Sequence, residues 1–220
     1  MSERTLTLDE ARAFYDAFGA RQDGQAFYED PATHALAAQL ELAGARAVFE
    51  LGCGTGRLAE RLLDGPLVPA CRYLGSDVSA TMVGLAQARL ARFGARAEVR
   101  QVDERPVLEP AAGSFDRLVS TYLFDLLGRA HIEALVAEVA RIVAPGGLVG
   151  LAGLTHGDTP LGRLVSAAWQ GIHRLRPRLV GGCRPLDARP FFAGAPWRIE
   201  HASVIQSYGL SSQILVARRL

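Results

Sequence analysis

Three glycines at alternate positions, Gly52, Gly54 and Gly56, lie in the stretch AVFELGCGTGRLAERLL, residues 47–63. They separate a run that reads as a buried strand from one that reads as a helix. No other feature limits the folding of this chain as tightly. A backbone that bare lets another group come close to it, and some of these positions ask for φ above zero. The turn feeds a helix near 56–63, whose free N–H groups and dipole favour an anion or a carboxylate. The spacing also disfavours one ligand class. The dinucleotide fingerprint GxGxxG uses its third glycine for close helix–strand packing. Here Arg57 holds that place, and Glu50 stands two residues before the first glycine.

The rest of the chain alternates in the same manner. Short apolar runs suit strands near 46–51, 71–76, 97–102, 116–121 and 147–154, with helical segments near 56–63, 79–93 and 130–143. Strand and helix in turn predict an α/β fold with a parallel sheet covered on both faces. Two helices come first. Thr7 caps one, with Asp9 and Glu10 in its first turn and Gly19 at its end. The other runs from Pro31, near its first position, to about Leu42. A helix near 160–175 leads into a Pro-, Gly- and Arg-rich stretch ending at Pro196. Two strand candidates, WRIEHASVIQSYG and SSQILVARRL, then turn around Gly209 as an antiparallel hairpin at one side of the sheet. No linker is visible, so residues 1–220 read as one domain, with 1–45 as a helical lid and 157–197 as a segment that sets the substrate.

Composition narrows the partners. A formal net charge of +1 provides no field for nucleic acid. The opening MSERTLTLDEARAF lacks a basic-then-apolar signal pattern, and no apolar run is long enough to span a bilayer. The expectation is a soluble, cytoplasmic protein without stable membrane insertion. Cys53, Cys71 and Cys183 are odd in number and widely spaced, which suits reduced thiols. His34, His131, His173 and His201 share no ligand spacing, so no metal is expected. The chain has neither Lys nor Asn, a bias that points to a GC-rich, bacterial genome.

With these motifs in place, the sequence resembles the class I S-adenosylmethionine-dependent methyltransferases. ELGCGTG resembles that family's glycine loop. YLGSDVSATMVGLAQ resembles its second-strand motif, VRQVDERPVLEPAAGSFDRLVSTYLFDLL its third and fourth strands, and EVARIVAPGGLVGLAG its helix–PGG–strand motif. The resemblance implies a Rossmann-like, doubly wound sheet and S-adenosyl-L-methionine as cofactor. It implies that Gly52, Gly54 and Gly56 let the methionine part lie against the backbone, while Glu50 helps to hold its ammonium end. Asp77 would accept from both ribose hydroxyls, since a carboxylate has two acceptor oxygens, or it caps the helix near Ser79. Asp103 would accept from the adenine amino group, and Met82 would lie on the adenine face or in the core. Cys53, Val78, Glu104 and Ser120 are expected beside the same ligand. The loop after Asp103 reads ERPVLEP, which departs from the family's acidic-Leu-Pro run.

The acceptor pocket should lie beyond the carboxyl ends of the strands. Tyr122 and Phe124 follow the fourth strand, Thr155 and His156 the fifth, and Tyr15 and Tyr28 can close over them from the N-terminal helices. His156 is the general-base candidate, or else a solvated loop residue; Tyr122 is named with it as catalytic. Asp125 orients an amine or caps a local turn. The region 157–198 holds seven Arg against Asp158 and Asp187. It suits an anionic acceptor or a lipid surface, or else an amphipathic helix with a solvated Arg face. No large recognition domain is visible, so a small-molecule acceptor is expected. The alternative is a non-catalytic nucleotide- or partner-binding module on the same fold. The residues say nothing about oligomeric state.

Overall fold

Alternating strand and helix patterns produce a mixed sheet with a switch point. The computed structural model describes residues 5–103 and 108–220. Its strands are β1 (Ala47–Leu51), β2 (Arg72–Asp77), β3 (Ala97–Gln101), β4 (Phe115–Thr121), β5 (Val143–Leu154), β6 (Trp197–Ser207) and β7 (Leu210–Arg219). They form one seven-stranded sheet in the order β3-β2-β1-β4-β5-β7-β6. Strands β1 to β5 are mutually parallel, and β7 runs antiparallel between β5 and β6. From β1 the chain winds outward to β3, then crosses to β4. That reversal opens a crevice at the carboxyl ends of β1 and β4.

The helices are α1 (Leu8–Phe18), α2 (Ala26–Gln39), α3 (Arg57–Asp64), α4 (Ala80–Leu90), α5 (Arg129–Ile142) and α6 (Pro160–Leu175). Side chains of α2, α3 and α4 share one core with sheet residues Val48, Tyr73 and Val119. Ile132, Leu135, Val139 and Ile142 of α5 share another with Phe49, Leu118 and Val149. Successive strand residues point to opposite faces, which is why Val48 and Phe49 enter different cores. β1 is buried along its whole length, as a central parallel strand must be.

Local chemistry sets several element ends as expected. Thr7 and Glu10 form a capping box at the start of α1. Ser79 Oγ accepts from Met82 N at the start of α4. Tyr208 and Gly209 take φ of 52° and 82° between β6 and β7, the positive-φ pair of a tight hairpin.

Two boundaries differ from expectation. Helix α2 does not enter at Pro31; it begins at Ala26 and carries Pro31 inside. Pro31 has no N–H for the Phe27 carbonyl four residues back. Ser207 Oγ donates to that oxygen at 3.3 Å, so the hairpin replaces the missing helix bond. Strand β5 starts at Val143, not near 147, because the 145–147 segment is a bulge. Phe115 pairs with Val143 while Arg117 pairs with Leu148.

Only part of the 1–45 segment lies over the crevice. Ala32 and Leu36 of α2 and Leu40 at its C-cap are fully buried. A Cβ at Gly150 of β5 would stand 2.8 Å from the Leu40 methyls, so α2 sits directly on the sheet. The covering piece is α1 with the 3₁₀ turn Gly19–Gln25.

Candidate active site

Each glycine of the turn does a different job. Gly52, Gly54 and Gly56 have φ of 74°, 53° and 76°, a region that costs L side chains roughly 1–2 kcal/mol. A Cβ on Gly54 would meet nothing within 4 Å, whereas one on Gly52 would stand 3.2 Å from Leu123. One on Gly56 would sit 3.0 Å from both Cα and Cβ of Ala86 in α4. Gly54 therefore faces open space, while Gly56 lets the turn pack against α4.

That open space is a crevice with two chambers. The larger is mainly apolar; Tyr15, Asp77, Val78, Met82, Leu123 and Leu126 line it. The smaller is polar, and its walls include Glu29, Glu50, Thr55 and Arg57. Gln22, Gly52, Gly54, Thr121 and Tyr122 border both.

Asp77 ends β2 with its carboxylate held by backbone. Gly54 N donates to Oδ2 and Ser79 N to Oδ1, each at 2.9 Å. Each oxygen keeps acceptor capacity for a second donor. Burial raises the carboxyl pKa, and the backbone N–H groups oppose that rise.

Glu50 lies in the polar chamber's floor, fully buried, and accepts from Tyr73 Oη at 2.7 Å. Burial pushes its pKa up to about 8, against the lowering effect of that hydrogen bond. Glu29 comes from α2 and is 7% exposed. Its Oε2 is 3.5 Å from Arg57 Nη2, while its Oε1 is buried without a hydrogen-bond partner among the described residues. Burial raises its pKa to about 7, with Arg57 pulling the other way. Gln22 Oε1 is a second buried acceptor in the same condition. Two such acceptors in one wall cost stability unless a donor meets them.

Carboxylates tie the covering segment down. Asp16 Oδ1 accepts from Ser79 Oγ at 2.5 Å and Thr81 N at 3.2 Å. Asp23 accepts from Thr55 Oγ1 at 2.6 Å and Arg89 Nη2 at 2.5 Å. Asp30 accepts from Arg57 Nη1 at 2.6 Å and Arg61 Nη2 at 3.1 Å.

The structure brings together Tyr15, Glu50, Gly52, Cys53, Gly54, Asp77, Val78, Met82 and Tyr122 as lining residues. Others stand elsewhere. Ser120 is buried, and its Oγ donates to Leu51 O at 2.8 Å. Gly56 is taken up by packing. Tyr28 is buried edge-on to Tyr122, ring centroids 5.8 Å apart, behind the crevice wall. Phe124 packs in the α5-side core. Thr155 is buried, with its N–H bonded to Ser211 O at 2.9 Å. His156 is exposed and borders neither chamber. Tyr122 does line the crevice, at a strained φ of 53°. Its hydroxyl is paired with Ser212 Oγ at 2.8 Å, and burial drives its pKa upward. Asp125 Oδ2 accepts from Leu154 N at 3.0 Å, which ties the loop after β4 to β5. Asp103 follows β3 and is exposed. Glu104 lies outside the described residues.

Sequence reasoning missed Gln22, Glu29 and Thr121. One signal existed for Glu29: it shares a helical face with Ala32, Thr33 and Leu36, all buried. A carboxylate on the apolar stripe of a helix needs a reason.

Comparison with known proteins follows the same lines. A family model described as "Methyltransferase domain" matches residues 48–147. The ubiquinone biosynthesis O-methyltransferase of Dechloromonas aromatica (strain RCB) is 30% identical over 115 residues. That match covers 52% of this chain and 47% of the relative, so it spans about half the relative's length. Among solved structures, a Haloferax volcanii complex of the Trm112 methyltransferase activator with a putative methyltransferase aligns with TM-score 0.75 and 18% identity, over 95% of this chain and 97% of that one. The cyclase SpnF aligns with TM-score 0.73 and 17% identity, over 99% and 98%. A glycine turn at the β1 tip, an acidic β2 end and the sheet order agree with the family-model match, which makes residues 48–147 a methyltransferase domain.

Proposed function

We propose that this protein transfers a methyl group from S-adenosyl-L-methionine to a small-molecule acceptor. One observation carries the reading. One chamber of the crevice is apolar with a carboxylate in its wall, the other is polar with unmatched acceptors, and bare backbone joins the two. A nucleoside linked to an amino acid has that same division of polarity.

The residues present fit the cofactor. Asp77 would take the ribose hydroxyls on the acceptor positions its backbone partners leave open. Val78 and Met82 would face the base, with Asp103 as the neighbouring acidic position. Glu50, Glu29 and Gln22 would surround the ammonium, and Gly52 and Gly54 would lie against the methionine chain. When bound, the cofactor supplies an activated sulfonium methyl.

The chain's own work is then positioning and exclusion of water. Tyr15, Leu123 and Leu126 give an apolar wall, and Tyr122 holds a π-face at the chamber boundary. Such surroundings suit a nucleophile whose attack disperses positive charge. Orientation alone can contribute about 7–11 kcal/mol when the reactive geometry is held. The covering segment, tied by Asp16 and Asp23, keeps water from that space.

Calorimetry with S-adenosylmethionine and S-adenosylhomocysteine tests the cofactor, and labelled methyl transfer to an acceptor panel tests the reaction. Absence of binding by either ligand defeats the proposal. Binding without transfer to any acceptor favours a binding module on the same fold.

A further inference from the structure

Helix α6 presents three faces, and two of them are outside the core. Gly162, Ser166, Trp169 and His173 form the inner face, and Trp169 Nε1 donates to Cys183 O at 2.9 Å. Leu161, Leu164, Ala168, Ile172 and Leu175 recur at helical spacing on the outer face. Leu161, Leu164 and Leu175 are 63–78% exposed. Leucines so exposed in one stripe are uncommon on a surface that meets only water. Arg163 and Arg174 occupy the third face, and Arg176 follows the helix; all three are exposed.

The apolar surface continues onto the β6–β7 turn. A Cβ at Gly209 would lie 3.6 Å from Val165 of α6. The adjacent Tyr208 is 81% exposed and meets Phe27 edge-on at 5.3 Å between centroids. Phe27 meets Tyr28 at 5.2 Å, and Tyr28 meets Tyr122 at 5.8 Å. A chain of rings therefore runs from the exposed patch to the crevice wall.

Charge selects the occupant. No Asp or Glu occurs between Asp158 and Asp187. A second copy docked face to face would set Arg-bearing flanks against one another with no acid on the helix to offset them. An anionic bilayer matches both features at once. It offers hydrocarbon to the leucines, phosphate to the arginines, and a headgroup layer to the tyrosine.

We propose that the outer face of α6 and the Tyr208 turn dock peripherally on an anionic lipid surface. The ring chain from Tyr208 to Tyr122 would then bring the crevice wall to the membrane side, where a membrane-dissolved acceptor would be supplied. That last link rests on the methyl-transfer reading; the docking itself does not.

Cosedimentation of the full chain with phospholipid vesicles tests the docking. Partitioning onto phosphatidylcholine vesicles that contain phosphatidylglycerol is expected to exceed that onto phosphatidylcholine alone by at least about tenfold, and to weaken in high salt. The double variant Leu164→Glu, Leu175→Glu should lose about tenfold or more of it. These side chains already face solvent, so its circular dichroism and S-adenosylhomocysteine affinity should match the wild type. The triple variant Arg163→Gln, Arg174→Gln, Arg176→Gln should lose the preference for anionic lipid. No sedimentation with anionic vesicles, equal binding to neutral ones, or equal binding by the leucine variant overturns the proposal. So does light scattering that finds a dimer which Leu164→Glu dissociates, because the face would then be covered by a second copy.

Discussion

At the scale of single residues, three carboxylates line the crevice: Asp77, Glu29 and Glu50. Asp77 is held in place by two backbone N–H groups, so its orientation survives without ligand. Asp77→Ala is expected to weaken S-adenosylhomocysteine binding by about 1–3 kcal/mol through loss of charge-assisted hydrogen bonds; calorimetry at neutral pH measures it. Glu29 lines the polar chamber. Glu29→Gln should weaken S-adenosylhomocysteine by about 1.5–3 kcal/mol and leave methylthioadenosine, which lacks the amino-acid part, unchanged. Equal losses for both ligands would assign Glu29 to the fold and not to the ammonium. The pH dependence follows from its raised pKa of about 7. Protonation below that value removes the charge an ammonium needs, so wild-type affinity should rise from pH 6 to 8, and the variant should lose the lower part of that rise. Glu50, raised to about 8, adds the upper part.

At the scale of elements, the β1–α3 turn joins two requirements that its sequence does not separate. Gly56 must stay small because Ala86 stands 3.0 Å from where its Cβ would be, and Gly54 must stay small because it faces the crevice. Gly56→Ala should therefore lower stability by about 1–3 kcal/mol in denaturant unfolding. Gly54→Val should leave the fold standing and abolish cofactor binding. The reverse pattern would exchange the two roles. Helix α2 shows a related point. Its Pro31 reads as a start signal, yet the helix begins earlier because Ser207 satisfies the carbonyl that proline leaves open. Buried Arg117 does similar work past the end of α2, donating to the carbonyls of Leu40 at 2.6 Å and Glu41 at 3.0 Å.

At the scale of the whole molecule, buried carboxylates make the fold sensitive to pH. Glu29 and Glu50 have folded pKa values of about 7 and about 8, above the ~4.3 of an unfolded Glu. Between those limits the folded chain holds protons that the unfolded chain has released. Their stabilising contribution is thus complete below the unfolded pKa and is lost as pH rises through 7 to 8. The expected slope is about 1.4 kcal/mol per pH unit for each such group. Thermal unfolding of the ligand-free protein should show Tm falling from pH 5 to 8, and Glu50→Gln should flatten the upper part. Carboxylates held low by arginine, such as Asp187 at about 2, act only in acid and leave that window clear. Among the described residues no helix is long and apolar enough to cross a membrane.

The sequence by itself determined what depends on neighbours in the chain. The Thr7 cap, the positive-φ glycines of the first turn, the acidic tip of β2 and the Tyr208–Gly209 reversal are short-range matters of dihedral angle and spacing. Tertiary structure decided what depends on distance through space. It placed Glu29 and Gln22 beside Glu50, set Gly56 against α4, fastened Ser120 to Leu51 and left His156 outside the crevice. Each of those outcomes follows from burial and contact between segments tens of residues apart, and no local pattern encodes which segment will arrive.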